Sequence, residues 1–214
     1  MYKIIQGEKG REAVATKNIS VGKIILKETP GIICEDLYDC IYKIFIDSEN
    51  GIENDSECNS DLADKYENMV PYTIDEQLIT QTQLEQEIER LPMYMQDFFN
   101  NMINNGVGNK GSVKLRLLAA KFYRNAFTYD TKYGGPSAVL FKGSQFNHSC
   151  DPNINFYIDK NGDFIFQAKK DIRESEELYI KYIDTNLSYK KRQNLLFTQY
   201  GFQCKCVKCT STRV

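Results

Sequence analysis

No apolar run in this 214-residue chain approaches the ~18 residues needed to cross a bilayer. Its opening, Met1-Tyr2-Lys3-Ile4-Ile5, lacks the charged-then-apolar layout of a secretory leader, so a nuclear or cytoplasmic location is expected. Heptads and internal repeats are both missing, which leaves a monomer with no membrane partner as the expected state. Acidic residues disappear altogether after Asp184, while Lys190, Lys191, Arg192, Lys205, Lys208 and Arg213 follow. That basic tail is short, and a pI near 5.6 is wrong for a dedicated nucleic-acid surface. Histidine occurs once, at His148, and no cysteine–histidine cluster stands in the first half.

What is present is the composition of an ordinary folded protein, 42% apolar and 26% charged. The length suffices for one large domain or two small ones. A net charge of −2 conceals a strong asymmetry: seventeen acidic residues stand between Glu35 and Asp97 against only Lys43, Lys65 and Arg90. Such a dipole steers charged partners to different faces. Seven cysteines is an odd number, and three of them crowd into six positions, which suits zinc better than a disulfide framework. Cys34, Cys40 and Cys58 have no ligand spacing and read as small buried thiols.

The first 35 residues predict short strands at Tyr2–Ile5, Ala13–Thr16 and Lys23–Lys27, punctuated by Gly7, Gly10 and Gly22. Pro30-Gly31 marks a turn. Leu37, Cys40, Ile41, Ile44 and Phe45 then recur at helical spacing. Residues 46–70 are polar and suggest a loose loop. A helix is expected from about Ile74 to Leu91, ended near Pro92. Another follows on Met95, Phe98, Phe99, Met102 and Ile103, stopped by Gly106 and Gly108. A third runs from Ser112, read as its N-cap, to near Asn125. Strands return from about Ala138: Asn153–Asp159 and Asp163–Ala168 flank Lys160-Asn161-Gly162, whose Asn-Gly pair favours a hairpin. Glu177–Lys181 is a short strand, and Ser188 opens a last helix to about Gln199. The economical architecture is α+β: a β-rich core interrupted by a helical insertion, since neither β part is large enough to fold alone.

Two segments carry chemistry. Asn147-His148-Ser149-Cys150-Asp151-Pro152-Asn153 is followed some fifty residues later by Cys204-Lys205-Cys206-Val207-Lys208-Cys209. The CxCxxC thiols are one ligand short of a tetrahedral zinc site, and Cys150 is an available fourth. Four thiolates leave the metal no open position, so one structural rather than catalytic zinc is expected at Cys150, Cys204, Cys206 and Cys209. As a general base His148 would want an acid or nucleophile partner, and none is evident in the sequence. Asn147 and His148 do offer an amide and backbone carbonyls able to hold a polar ligand. Tyr182, in Tyr182-Ile183-Asp184, follows an apolar strand and lies between the two segments.

Asn-His-Ser-Cys-x-Pro-Asn, a strand ending in Tyr-x-Asp, and a CxCxxC tail preceded by Tyr200-Gly201-Phe202-Gln203 resemble the SET-domain protein-lysine methyltransferases. The resemblance is nearest to their SMYD-like branch, here without its MYND finger. It covers residues 145 to 209 well and 9 to 34 loosely, with Asn125-Ala126-Phe127 similar to the branch's Asn-x-Phe segment. It implies a SET-type core at 1–36 and 113–186, a helical insertion at 37–112, and a post-SET helix and zinc tail at 187–214. It implies S-adenosylmethionine held by Lys9, Gly10, Arg11, Asn125, Ser144, Asn147 and His148, with Phe202 stacked on the adenine and S-adenosylhomocysteine as product. Tyr182 would be catalytic, and Phe127, Tyr182 and Tyr200 would line a channel for the lysine of a protein or peptide, a histone tail included. Glu12 departs from the family by standing where the second glycine of a Gly-x-Gly belongs, which adds charge near the cofactor carboxylate and forgoes glycine's backbone freedom. That departure feeds a rival expectation, a non-catalytic reader or scaffold. A zinc-ribbon interaction module would account for the cysteine tail alone.

Overall fold

The computed structural model describes residues 1–7, 10–50, 59–69, 81–104, 110–129 and 135–211. In chain order the strands and helices begin β1 Tyr2–Gly7, β2 Gly10–Ala15, β3 Ile24–Glu28, β4 Ile32–Cys34, α1 Leu37–Asn50 and α2 Asn59–Glu67. They continue α3 Gln81–Ile88, α4 Met93–Asn104, α5 Lys110–Asn125, β5 Ala126–Thr128 and β6 Ser137–Val139. Last come β7 Asn147–His148, β8 Ile154–Ile158, β9 Phe164–Ala168, β10 Tyr179–Ile180, α6 Tyr189–Tyr200 and α7 Val207–Ser211. The chain divides into two compact units, Met1–Pro30 with Leu140–Val214, and Gly31–Val139.

Apart from one parallel pair, β7 with β10, the strands of the first unit pair as short antiparallel pieces. β1 and β2 form a hairpin in which Tyr2 faces Ala15 and Gly7 faces Gly10. Gly10 has φ +90°, a left-handed conformation that glycine adopts without a Cβ penalty. A second sheet has the order β3-β9-β8. Its β8–β9 turn closes as the Asn161-Gly162 pair predicts: the Gly162 N–H donates to the Asp159 carbonyl at 3.0 Å, and Gly162 takes φ +84°. Phe164 and Phe166 on β9 are fully buried, and Phe146 stacks between Tyr2 and Phe166 with 5.2 Å between centroids on each side. A Cβ built on Gly143 would lie 2.5 Å from the Phe166 ring. Gly143→Ala is therefore expected to destabilise the protein by about 1–3 kcal/mol, the usual cost of overpacking, read from urea melts.

The second unit joins a three-stranded sheet, order β4-β6-β5, to helices α1 to α5. Ile41 and Ile44 of α1, Phe99 of α4, and Leu115 and Leu118 of α5 are buried, which explains their helical spacing. Cys34 and Cys40 are buried thiols, as their lack of spacing suggested; Cys58 lies outside the described residues.

Three local readings change. Residues 46–50 extend α1, and 59–67 form α2 where the polar run suggested a loop. α2 is anchored from elsewhere: Tyr66 is wholly buried and donates its hydroxyl to the Leu118 carbonyl at 3.0 Å. Beyond its end, Lys121 of α5 donates to the carbonyls of Glu67 and Met69, satisfying groups that a helix C-terminus leaves open. α5 begins at Lys110, so Ser112 lies inside its first turn and does not cap it. The start at Ile74 and the stops at Gly106 and Gly108 lie outside the described residues.

Candidate active site

The site in the first unit grows from one small parallel bridge. β7 pairs with β10, placing Asn147 beside Tyr179 and His148 beside Ile180, and the Ser149 N–H donates to the Ile180 carbonyl at 3.0 Å. β2 docks on the segment before β10: Leu178 donates its N–H to the Ala13 carbonyl at 2.8 Å. Three predicted cofactor residues therefore meet. Asn147 Nδ2 donates to the Arg11 carbonyl at 2.8 Å and to Glu177 Oε1 at 2.9 Å, while Arg11 Nη2 donates to the Ser144 carbonyl at 3.1 Å.

A residue that sequence reasoning missed holds this corner from behind. The Glu28 carboxylate accepts the N–H groups of Lys142 at 2.8 Å and Gly143 at 2.6 Å, at the head of the 3-10 turn Gly143–Gln145 that carries Ser144. Burial raises its pKa against the opposing pull of those N–H donors. Glu28 and its partners are more than a hundred positions apart, so no local pattern could announce the contact.

His148 is 7% exposed. Its Nδ1 accepts the Tyr182 N–H at 2.9 Å, which puts the ring proton on Nε2, 3.4 Å from Cys150 Sγ. Burial, and then the charge of Arg192, push its pKa down to about 4, so the imidazole is neutral near pH 7. With a backbone N–H and a thiol as neighbours, His148 is a structural connector rather than a base.

Tyr182 donates its hydroxyl to the Phe146 carbonyl at 2.8 Å. Its ring lies 5.3 Å from His148 and 4.8 Å from Tyr200, centroid to centroid, and Phe202 lies 6.1 Å from His148. Burial, and then Tyr200, hold the Tyr182 phenol well above its ordinary range, so it stays protonated. Tyr200 and Phe202 are placed by the end of α6, where Gly201 takes φ +77° and the Phe202 N–H returns to the Leu196 carbonyl.

Asn125 and Phe127 belong to the second unit: Asn125 ends α5 with its amide donating to the Lys121 carbonyl at 2.6 Å, and Phe127 sits in β5 opposite Ala138. Lys9 lies outside the described residues. Glu12 is an ordinary strand residue opposite Ile5, and its carboxyl group folds over Gly7, where a Cβ would meet it at 2.2 Å. The glycine conformation in this hairpin belongs to Gly10, so the backbone expected to strain at Glu12 does not.

The four cysteines converge. All four Sγ atoms lie within 4.8 Å of one another, with Cys150 3.5 Å from Cys209 and 4.0 Å from Cys204. A tetrahedron with ~2.3 Å metal–sulfur bonds has edges of about 3.8 Å. These are free thiols, too far apart for an S–S bond of ~2.05 Å. Burial raises the Cys150 thiol and takes Cys204 up to about 11, whereas at Cys206 the N–H donors outweigh burial and bring it to about 7. Buried thiols of this geometry suit a zinc ion, which replaces their protons.

The sequence model of the SET domain matches residues 10–183. The chain belongs to the SET-domain family. This SET domain is 30% identical over 209 residues to the SET domain-containing protein L678 of Acanthamoeba polyphaga mimivirus, covering 94% of this chain and 74% of that one. It is 31% identical over 125 residues to the mouse histone-lysine N-methyltransferase SMYD3, covering 57% and 29% respectively, which fits the SMYD-like resemblance. Among solved structures, the SET domain of LSMT bound to lysine and AdoHcy aligns with a TM-score of 0.57 at 14% identity, over 95% of this chain and 53% of that one. That alignment supports the SET fold. The chain thus spans about three-quarters of the viral relative, under a third of SMYD3 and about half of the solved chain.

Proposed function

We propose that this SET domain is a protein-lysine N-methyltransferase that uses S-adenosylmethionine and releases S-adenosylhomocysteine. The observation that carries the reading is the setting of Tyr182, whose hydroxyl is tied to the Phe146 carbonyl between the rings of His148 and Tyr200. Bound S-adenosylmethionine would supply an electrophilic methyl group on a sulfonium. The first unit offers that molecule a cation at Arg11, the Asn147-His148 bridge and the half-buried ring of Phe202. Among the described residues, its chain neighbours aside, nothing lies within 4 Å of where a Gly10 Cβ would stand, which supports room for a ligand at the turn. Gly10, Arg11, Ser144, Asn147 and His148 hold the cofactor in this reading, Phe202 stacks on its adenine, and Tyr182 and Tyr200 border the lysine channel. Lys9, Asn125 and Phe127 join these roles on the resemblance alone.

The substrate amine must be neutral to attack, although free lysine titrates near ~10.4. Aromatic walls and an adjacent positive charge both favour the neutral form. Nitrogen bonds to the methyl carbon as the carbon–sulfur bond breaks; the electron pair stays on sulfur and the surplus amine proton leaves to solvent. Tyr182 is no base in this reaction, being held protonated by burial. With its proton committed to Phe146, its oxygen lone pairs orient the amine and methyl group, so positioning does most of the work. The substrate class is a lysine-bearing protein or peptide, with a histone tail as the leading instance, acting in the nucleus or cytoplasm. The acidic stretch between Glu35 and Asp97 supports a basic peptide. The backbone at Glu12 is that of an ordinary strand, which removes the conformational ground for the scaffold reading.

Titration calorimetry of the zinc-loaded protein with S-adenosylmethionine tests the proposal. Binding of about micromolar strength is expected. Asn147→Ala removes the amide that ties Arg11 to Glu177 and should weaken it by tenfold or more, since two hydrogen bonds are worth about 1 kcal/mol each. A folded, zinc-loaded wild type that binds nothing would sink the reading.

A further inference from the structure

Arg192, on α6, is only 3% exposed. Burying a cation costs several kcal/mol unless an anion meets it. Its Nη1 donates to the Leu187 carbonyl at 2.6 Å, and Nη2 donates to Cys209 Sγ at 3.7 Å. Among the described residues, its buried Nε has no hydrogen-bond partner. Among the described residues no carboxylate forms an ion pair with Arg192. The sequence offers no acid beyond Asp184. The anions within reach of this charge are the cysteine sulfurs.

A neutral thiol would leave Arg192 an uncompensated buried cation. Four thiolates on a divalent ion carry two surplus negative charges, and one guanidinium beside them removes half of that excess. We propose that Arg192 is the outer-shell counter-cation of the zinc centre, donating to the Cys209 sulfur and setting how tightly the four sulfurs hold the metal. This rests on reading the four thiols as a zinc site. The next residue completes the attachment: Gln193 Nε2 donates to the Cys204 carbonyl at 2.8 Å, and its Oε1 accepts the Cys204 N–H at 3.0 Å. Arg192 therefore grips the Cys209 sulfur while Gln193 grips the backbone. Tyr200 and Phe202 lie between those two attachments along the chain, so Arg192 is a positioning residue for both rings.

The test uses the full chain as wild type, Arg192→Gln and Arg192→Lys. Zinc affinity is measured by competition with a chromophoric chelator. Melting is followed with and without zinc, and cobalt(II) substitution reports the sulfur-to-metal charge-transfer band. R192Q should bind zinc about 10–100-fold more weakly, the usual cost of losing an outer-shell partner. Its melting temperature should fall more in the zinc-loaded than in the metal-free protein, and its cobalt band should move to longer wavelength, because sulfur electrons that lose a cation lie higher. R192K keeps the charge without the planar fork, so it should retain most of the affinity while its band still moves. Unchanged zinc affinity and an unmoved band in R192Q, or equal losses of stability with and without zinc, overturn the proposal. If R192Q does not fold, an unmoved band in R192K does the same. A wild type that takes up no zinc overturns both this proposal and the zinc site; normal uptake with an unaltered R192Q overturns this one alone.

Discussion

Tyr182→Phe should lower turnover by about a hundred- to a thousandfold, the range seen when one preorganised polar contact to a transition state is removed. The argument is geometric. The hydroxyl is the only part of Tyr182 that the substitution deletes, and it is fixed by a 2.8 Å hydrogen bond to the Phe146 carbonyl. The ring contacts with His148 and Tyr200 survive in phenylalanine, so packing is kept. The loss should therefore appear in kcat, with S-adenosylmethionine affinity close to wild type and the melting temperature lower by about 10 °C at most. One buried carbonyl loses its partner, at a cost to stability of about 1–3 kcal/mol at most. Single-turnover kinetics on a lysine peptide, with calorimetry for the cofactor, check both halves. Near wild-type turnover would remove Tyr182 from the chemistry.

Stripping zinc should abolish methyl transfer, and adding it back should restore it. The tail has little core of its own: Cys150, Ile183, Leu196, Cys204 and Cys209 are its buried members, with Tyr182, Tyr200 and Phe202 packed around them. Three of those five are the proposed ligands, so without the metal the cluster is mostly thiols. Structural zinc in finger-like segments contributes on the order of 10 kcal/mol of apparent binding energy. A tail of this size should therefore detach when a chelator wins the metal. Loss of S-adenosylmethionine binding should accompany it, because Phe202 is held two residues from Cys204. Cys204→Ser should reproduce the effect without a chelator. A chelated protein that keeps full activity would show that the tail needs no metal.

Sequence reasoning succeeded where the decisive partners were near in the chain or the signature was chemical. Asn161-Gly162 encodes its own hairpin through backbone preference, and the stripes of α1, α4 and α5 record one buried face each. The cysteine cluster was legible because thiols at that spacing have few other uses. What escaped detection depends on distant partners. α2 is polar along its length and is held by Tyr66 reaching 52 positions to Leu118, with Lys121 at its end. β4 and β5 have three residues each and pair only through β6. Glu28 looks like any strand carboxylate until the turn at Lys142 is brought to it. Arg192 reads as one more base in a basic tail, and its burial depends on the sulfurs around it.

Cys150 precedes Cys204 by 54 positions. At ~5–20 residues per second, a ribosome spends roughly 3–11 s between making the first ligand and the second. Throughout that interval Asn147 and His148 already exist, Tyr182 is added within it, and the sulfur beside His148 has none of its three partner thiols. A four-sulfur site can therefore close only after Cys209 is made, 59 positions after Cys150.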